Sequence, residues 1–133
     1  MEPYRGEAWI PIPPTSNHLY PTGNGRRVMS SEYRRWRTEA AMAMAGQLRK
    51  VRPDQYPLRV ELRIYSGKGF RMNADIGNRE KPTTDALVEA GVIADDNIQY
   101  VIAQMQRYVP RLTEGQPAEA MVTLVTDYGE VSN

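Results

Sequence analysis

Several carboxylate residues lie close in sequence to one lysine between residues 75 and 96. Asp75, Lys81, Asp85 and the pair Asp95–Asp96 fall within 22 residues of the 133-residue chain. Rigidly held carboxylate oxygens suit Mg²⁺, which keeps its other positions for water and substrate phosphate. A nearby lysine adds positive charge for the same phosphoryl transition state. The residues alone therefore allow a magnesium site that cuts a phosphodiester. The alternative interpretation is a surface ion pair between Lys81 and Asp85 beside an acidic turn.

The elements that must position these residues begin with an extended segment. Residues 70–76 follow a glycine-rich turn and are expected to extend as a strand. Side chains alternate between the faces of a strand, so Asn73, Asp75 and Gly77 should point the same way. We therefore expect Asp75 near the end of this strand.

A helix is predicted next, from about Asn78 to Gly91. Pro82 is tolerated only in the first turn, and glycine suits the left-handed residue that ends a helix. Lys81 and Asp85 are four residues apart and share one helix face. The reversal of the chain at Gly91 should return Asp95–Asp96 toward the strand end that carries Asp75.

The remaining pattern predicts a small α+β domain. An amphipathic helix capped by Ser30 or Ser31 should run to about Lys50, with apolar residues at helical spacing: Tyr33, Trp36, Ala40, Met44 and Leu48. Strands are predicted at Glu7–Ile12, Leu58–Tyr65, Ile98–Tyr108 and Ala120–Thr126. This order indicates one domain over residues 1–133, with a mixed β-sheet and two main helices.

Composition excludes several kinds of site. The chain has no cysteine, so disulfides, thiolate chemistry and cysteine-based zinc sites are excluded. The one histidine, His18, lies in a turn-rich loop, where we expect a solvated or DNA-touching side chain rather than a catalytic base. No apolar run approaches the ~18 residues of a membrane span. The N-terminus has no secretory pattern, so we expect a cytoplasmic protein.

Charge is distributed unevenly, although the net charge is only +1. Eight basic and two acidic residues between Arg26 and Arg52 give +6, whereas eight acidic and two basic residues between Asp85 and Glu130 give −6. A basic first half can hold phosphates and an acidic second half can hold a cation. Five arginines are candidate phosphate contacts: Arg26, Arg27, Arg34, Arg35 and Arg37. The alternative is that they form a solvated, solubilising face.

The acidic stretch resembles the RusA family of Holliday junction resolvases. The family pattern runs Asp-x-Asp-Asn, Lys, Asp-Ala-Leu, Ala-Gly and Asp-Asp. This chain has Asp75-Ile76-Gly77-Asn78, Lys81, Asp85-Ala86-Leu87, Ala90-Gly91 and Asp95-Asp96. Its opening strand followed by Pro13-Pro14-Thr15-Ser16-Asn17 is similar to the family's start, so the resemblance covers most of the chain.

The resemblance implies a homodimeric, Mg²⁺-dependent endonuclease that makes symmetric nicks across four-way DNA junctions in recombination and repair. It also implies that Asp75 and Asp96 bind the metal and that Lys81 is catalytic. Lys68 and Phe70 are candidate DNA contacts. Phe70 is expected either in the core or as an exposed wedge that stacks on unpaired bases.

One acidic residue of the family pattern is absent, because Gly77 stands where the second aspartate is expected. Glycine supplies no ligand and loosens the backbone. Asp95 or Asn73 is a candidate for the replacement oxygen. The alternative function is therefore a junction-binding protein of the same fold whose cleavage is impaired or lost.

Overall fold

The computed structural model describes residues 2–15, 22–23, 26–27, 29–67, 77–110 and 115–128. The elements, in chain order, are β1 (Arg5–Ile10), β2 (Thr22–Gly23), β3 (Arg26–Arg27), α1 (Ser31–Gln47), a short 3₁₀ turn (Pro53–Gln55), β4 (Leu58–Tyr65), α2 (Glu80–Glu89), β5 (Val101–Val109) and β6 (Glu119–Thr126). The predicted α+β class with a mixed sheet and two main helices is confirmed.

Four strands form the main sheet in the order β1-β6-β4-β5. The pair β4-β5 is parallel, whereas β6 runs antiparallel to both β1 and β4. Strand β1 begins and ends two residues earlier than the predicted Glu7–Ile12. Pro11 follows its last residue and has no N–H to donate to the ladder, which explains the earlier end.

The core lies between one face of this sheet and the two helices. Every second residue of β4 points into it, namely Leu58, Val60, Leu62 and Ile64, and none is more than 3% exposed. Burying each such side chain stabilises the fold by roughly 1.5–3 kcal/mol before entropy is counted. The period-two pattern of β4 therefore fixes which sheet face the helices cover.

Helix α1 packs its predicted apolar stripe on the sheet. Ser30 caps it by accepting a 3.1 Å hydrogen bond from the Tyr33 N–H. Tyr33 and Met44 are at most 1% exposed. The helix ends at Gln47 rather than near Lys50, because Leu48 turns to an extended conformation (φ −117°) that buries its side chain.

The asparagine, proline and glycine that predicted helix α2 lie at its two ends. The Asn78 side chain accepts a 3.1 Å hydrogen bond from the Glu80 N–H, and Pro82 lies in the first turn. Gly91 has φ +75° and reverses the chain. Strand β5 starts at Val101 instead of Ile98, because a turn comes first in which the Tyr100 and Val101 N–H groups both donate to the Asn97 carbonyl (2.9 Å). Among the residues described, no helix has the length and apolar character needed to span a membrane.

Candidate active site

One lysine ammonium joins two carboxylates at the start of α2. Lys81 Nζ lies 2.9 Å from Asp85 Oδ1 and 3.0 Å from Asp96 Oδ2. The side chains of Asp85 and Asp96 are 14% and 26% exposed, whereas that of Lys81 is 54% exposed. We call these three residues the Lys81 cluster. Its cation is open to solvent while the carboxylates that hold it are mostly covered.

The local fold brings this cluster together in two steps. Lys81 and Asp85 meet because residues four apart share a helix face. Asp96 arrives because the left-handed Gly91 ends α2 and the chain folds back, with the Val92 N–H donating to the Leu87 carbonyl at 3.1 Å. This reversal places Asp96 beside α2, whereas the strand end toward which its return was predicted, at Asp75, lies outside the described residues.

A tyrosine of α1 completes the support of Asp85. The Tyr33 hydroxyl donates a 3.0 Å hydrogen bond to Asp85 Oδ2, so both oxygens of this carboxylate have partners. The sequence indicated Tyr33 as a core residue, and its ring is indeed buried. Its polar role was missed, although a buried tyrosine hydroxyl usually has a hydrogen-bond partner.

The hydrogen bonds and opposite charges within the cluster shift the pKa values of Lys81 and Asp96. The hydrogen bond to Asp85, together with that to Asp96, raises the pKa of Lys81 above its ordinary value. The hydrogen bond from Lys81 lowers the pKa of Asp96. At neutral pH Lys81 is therefore a cation and Asp96 an anion. Lys81 can stabilise negative charge on a phosphate, but it is unsuited to act as a base.

Asp95 has a structural role in the acidic turn. Its Oδ1 accepts a 2.7 Å hydrogen bond from the Asp96 N–H, and its Oδ2 lies 3.3 Å from Asn97 Nδ2. These bonds hold the turn that presents Asp96. A carboxylate oxygen has a second lone pair, so the predicted metal-binding role of Asp95 remains a prediction.

The backbone just before α2 is held by a glutamine of β5. Gln106 Nε2 donates to the Gly77 carbonyl at 2.7 Å, and Gln106 Oε1 accepts from the Arg79 N–H at 2.8 Å. Gly77 has φ +60°, in the left-handed region that favours glycine. The Arg79 guanidinium donates to the Pro13 carbonyl, and burial lowers its pKa. Sequence reasoning gave no indication of Gln106.

The candidate DNA contacts are only partly described. Arg34 and Arg35 are exposed on α1, as phosphate contacts require. Arg37 is more enclosed, because its Nε lies 3.3 Å from Glu89 Oε1 and its guanidinium 5.9 Å from the Tyr33 ring centre. Glu89 is thus an acidic partner that the sequence did not reveal. Arg26 and Arg27 form a short strand whose side chains are not described.

Several predicted site residues lie outside the described ranges: His18, Lys68, Phe70, Asn73 and Asp75. The predicted meeting of Asp75 with Asp96 is therefore untested. Within the ranges that are described, no group of three or more His, Cys, Asp or Glu residues could hold a metal ion. The described carboxylates nearest to such a role are Asp95 and Asp96, which offer the hard oxygen donors that Mg²⁺ prefers.

Known proteins share the sequence features of this region. Residues 11–113 match the family described as Endodeoxyribonuclease RusA. A protein named crossover junction endodeoxyribonuclease rusA, from Enterobacteria phage 82, is 28% identical over 116 residues, covering 86% of this chain and 90% of the relative. A relative of the same name from Escherichia coli O139:H28 is 27% identical over 120 residues, covering 89% and 93%. The relative from Escherichia coli K12 is 27% identical over 116 residues, covering 86% and 90%. The family match includes the Lys81 cluster and Gln106.

Proposed function

Because the chain belongs to the RusA family of endodeoxyribonucleases, we propose that it resolves four-way (Holliday) DNA junctions by paired symmetric nicks in a Mg²⁺-dependent reaction. The observation that carries this proposal is the Lys81 cluster, a solvent-accessible ammonium fixed by two carboxylates. Its geometry suits a site that must stabilise charge on a phosphodiester.

Lys81 would contact a non-bridging oxygen of the scissile phosphate. Its hydrogen bonds to Asp85 and Asp96 hold the ammonium in one place, so little rearrangement is needed when the phosphate arrives. Tyr33 and Asp85 would act through Lys81. The Tyr33 hydroxyl holds the Asp85 carboxylate in place, and that carboxylate in turn holds the Lys81 ammonium. This division of roles agrees with the greater burial of Asp85.

Asp96 is the described residue best suited to hold Mg²⁺. Its carboxylate is ionised and partly exposed, and its oxygens match the preference of a hard cation. Asp75 and Asp95 are the other proposed ligands. When bound, the ion would neutralise charge on the phosphoryl oxygens and promote ionisation of water.

Binding to the junction is assigned mainly to basic residues on and before the N-terminal part of α1. Arg34 and Arg35 are exposed there and can reach phosphates. Arg26, Arg27, Arg37, Lys68 and Phe70 are the further proposed contacts. A homodimer is part of the proposal, because two symmetric nicks require two sites related by a twofold axis.

The second candidate function is junction binding with impaired or absent cleavage. The specific observation in its favour is Gly77, which has no side chain where the family pattern has an aspartate. With one fewer fixed negative charge, the site would bind Mg²⁺ more weakly.

A nicking assay on a synthetic four-way junction separates the two candidates. The parent protein, Asp96→Asn and Lys81→Met are compared over a magnesium series, with a linear duplex of the same sequence as control substrate. We expect paired nicks in the junction alone, and a loss of at least ~100-fold in both variants at unchanged junction affinity. Lys50→Met is the matched control, because Lys50 is an exposed lysine and its loss removes the same charge.

The outcomes are distinct. Junction binding by the parent without nicking at any magnesium concentration would select the binding function. Nicking that survives Asp96→Asn and Lys81→Met would contradict the assigned site. Equal action on linear duplex would contradict junction selectivity.

A further inference from the structure

Gln106 bridges both ends of the three-residue segment that leads into α2. Its amide N–H group donates to the Gly77 carbonyl (2.7 Å), and its amide oxygen accepts from the Arg79 N–H (2.8 Å). Only a primary amide supplies a donor and an acceptor side by side in this way. The side chain is partly buried, so both bonds are partly shielded from water.

The bridge starts from a rigid base. Gln106 lies on β5 opposite the buried Leu62 of β4, and β5 pairs with β4 along most of its length. The backbone that it holds is weakly constrained by its own sequence, because Gly77 has no side chain to restrict its dihedral angles and adopts a left-handed conformation. A sheet residue thus fixes a backbone segment that its own sequence leaves weakly specified.

The held segment lies between two predicted functional residues. Arg79 immediately precedes α2 as its N-cap residue, and Lys81 lies in the first turn of that helix. Asp75 precedes Gly77 by two residues. The position and direction of the first turn of α2 therefore depend on the Gly77–Arg79 backbone.

We propose that Gln106 is a positioning residue, which clamps the Gly77–Arg79 backbone and thereby sets Lys81 against Asp96 and the scissile phosphate. This inference rests on the proposed nuclease function and adds a residue to it. Gln106 does not touch the reacting atoms; it acts through the backbone that carries Lys81.

The test compares Gln106→Leu with Gln104→Leu. Leucine keeps a similar side-chain volume but supplies neither hydrogen bond. Gln104 lies two residues away on the same strand and face and is exposed, so its substitution controls for an added leucine. Single-turnover nicking at saturating protein, junction affinity and amide hydrogen exchange are measured for each variant. A crystal structure of each variant gives the distance from Lys81 Nζ to Asp96 Oδ2.

For Gln106→Leu we expect nicking to fall by ~10- to 100-fold with junction affinity unchanged, because a small misplacement of a catalytic group lowers the rate rather than binding. The Arg79 amide should exchange faster, and the 3.0 Å contact between Lys81 and Asp96 should lengthen beyond ~4 Å. Gln104→Leu should match the parent in all four measurements.

Two results would overturn the inference. One is normal nicking by Gln106→Leu although Arg79 exchanges faster, which would show that the clamp does not position the site. The other is an unchanged contact between Lys81 and Asp96 in Gln106→Leu. Because the structural measurements do not require cleavage, a parent protein that never nicks refutes the proposed function, while an intact contact in the variant refutes the clamp.

Discussion

At the scale of single residues, the Lys81 cluster joins one cation to two anions. Such an arrangement carries a net negative charge, which would repel DNA unless a further cation were bound. It therefore suits a site whose substrate phosphate arrives together with Mg²⁺. The Lys81 ammonium, which donates to both carboxylates, also offsets the repulsion between Asp85 and Asp96.

The pKa shift of Asp96 predicts how stability depends on pH. Its folded pKa is lowered, so its contribution is present above the unfolded value of about 3.9 and is lost as pH falls through the folded pKa. Lys81 has a raised pKa, so its share is lost only at high pH, above its unfolded value of about 10.4. We expect the parent to be more stable than Asp96→Asn at pH 7 by less than ~1 kcal/mol, because Lys81 is half exposed.

Urea unfolding of both proteins at pH 7 and pH 2.5 measures this difference. The advantage of the parent should shrink at the lower pH, because the Asp96 carboxylate then binds a proton more readily in the unfolded chain than in the folded one. Asp54→Asn serves as the control, since Asp54 pairs with Arg52 at an exposed surface. A difference that stays constant or grows on acidification would contradict the assigned ion pair.

Gly77 permits a second prediction at this scale. Gly77→Asp restores the carboxylate of the family pattern and should allow nicking at lower magnesium. The φ of +60° makes the substitution strained, but aspartate tolerates this region better than most residues, so we expect a loss of stability of about 1 kcal/mol.

A magnesium titration of nicking, with thermal unfolding in parallel, checks both effects. Gly115→Asp is the matched control, because Gly115 also has a positive φ (+90°) and open space around it. If Gly77→Asp nicks no better while the parent already cuts at low magnesium, another residue has replaced the missing ligand.

At the scale of elements, local signals predicted much of the fold. The alternation in β4 predicted that strand correctly, and proline, asparagine and glycine signals located α2 within two residues. The end of α1 was predicted less well because the burial of Leu48 depends on tertiary contacts. The start of β5 was predicted less well because the pattern of apolar residues did not indicate the local turn at Asn97. Local periodicity does not contain that information.

The candidate site divides in the same way. The ion pair between Lys81 and Asp85 follows from helical spacing. The reversal at Gly91 predicted a return of Asp95–Asp96 toward the strand end that carries Asp75, which lies outside the described residues. The bonds of Tyr33 and Gln106 were not predicted, because each joins elements that lie far apart in the chain. Neither the Asp85 carboxylate nor the Gly77–Arg79 backbone carries a sequence signal that indicates its distant partner.

The contact between α1 and α2 predicts the effect of Tyr33→Phe. Phenylalanine keeps the buried ring but removes the hydroxyl that donates to Asp85. We expect unfolding free energy to fall by about 0.5–1.5 kcal/mol and nicking to fall several-fold, because Asp85 would hold Lys81 less firmly.

Tyr128→Phe is the control, since the Tyr128 side chain is exposed at the end of β6. Urea unfolding and single-turnover nicking are measured for both variants. If Tyr33→Phe lowers stability without affecting nicking, the hydroxyl supports the fold alone and not the site.

At the scale of the whole molecule, charge predicts the dependence of junction binding on salt. If Arg34 and Arg35 contact phosphates, log affinity should fall steeply with log salt, and the double change to Glu should reduce the slope by about 0.9 for each lost contact. The control changes Arg5 and Arg59 to Glu, because both lie on the sheet face opposite the helices and are at least 45% exposed. Equal effects in the two double variants would indicate a general charge effect instead of a located surface.

The proposed symmetric cleavage requires a dimer whose two sites act on one junction. Light scattering at micromolar concentration should give twice the mass of the 15.1 kDa chain. Mixing the parent with an excess of Asp96→Asn should then produce junctions nicked on one strand only, because most active chains would be paired with an inactive partner. If the chain acted as a monomer, the excess variant would compete for junctions and slow all nicking. The ratio of single to paired nicks would then depend only on the number of active chains bound to each junction. Dimers with one active and one inactive chain should accumulate a junction with a single nick. If the amount of this product follows the fraction of such dimers, the two sites act as a pair and not independently.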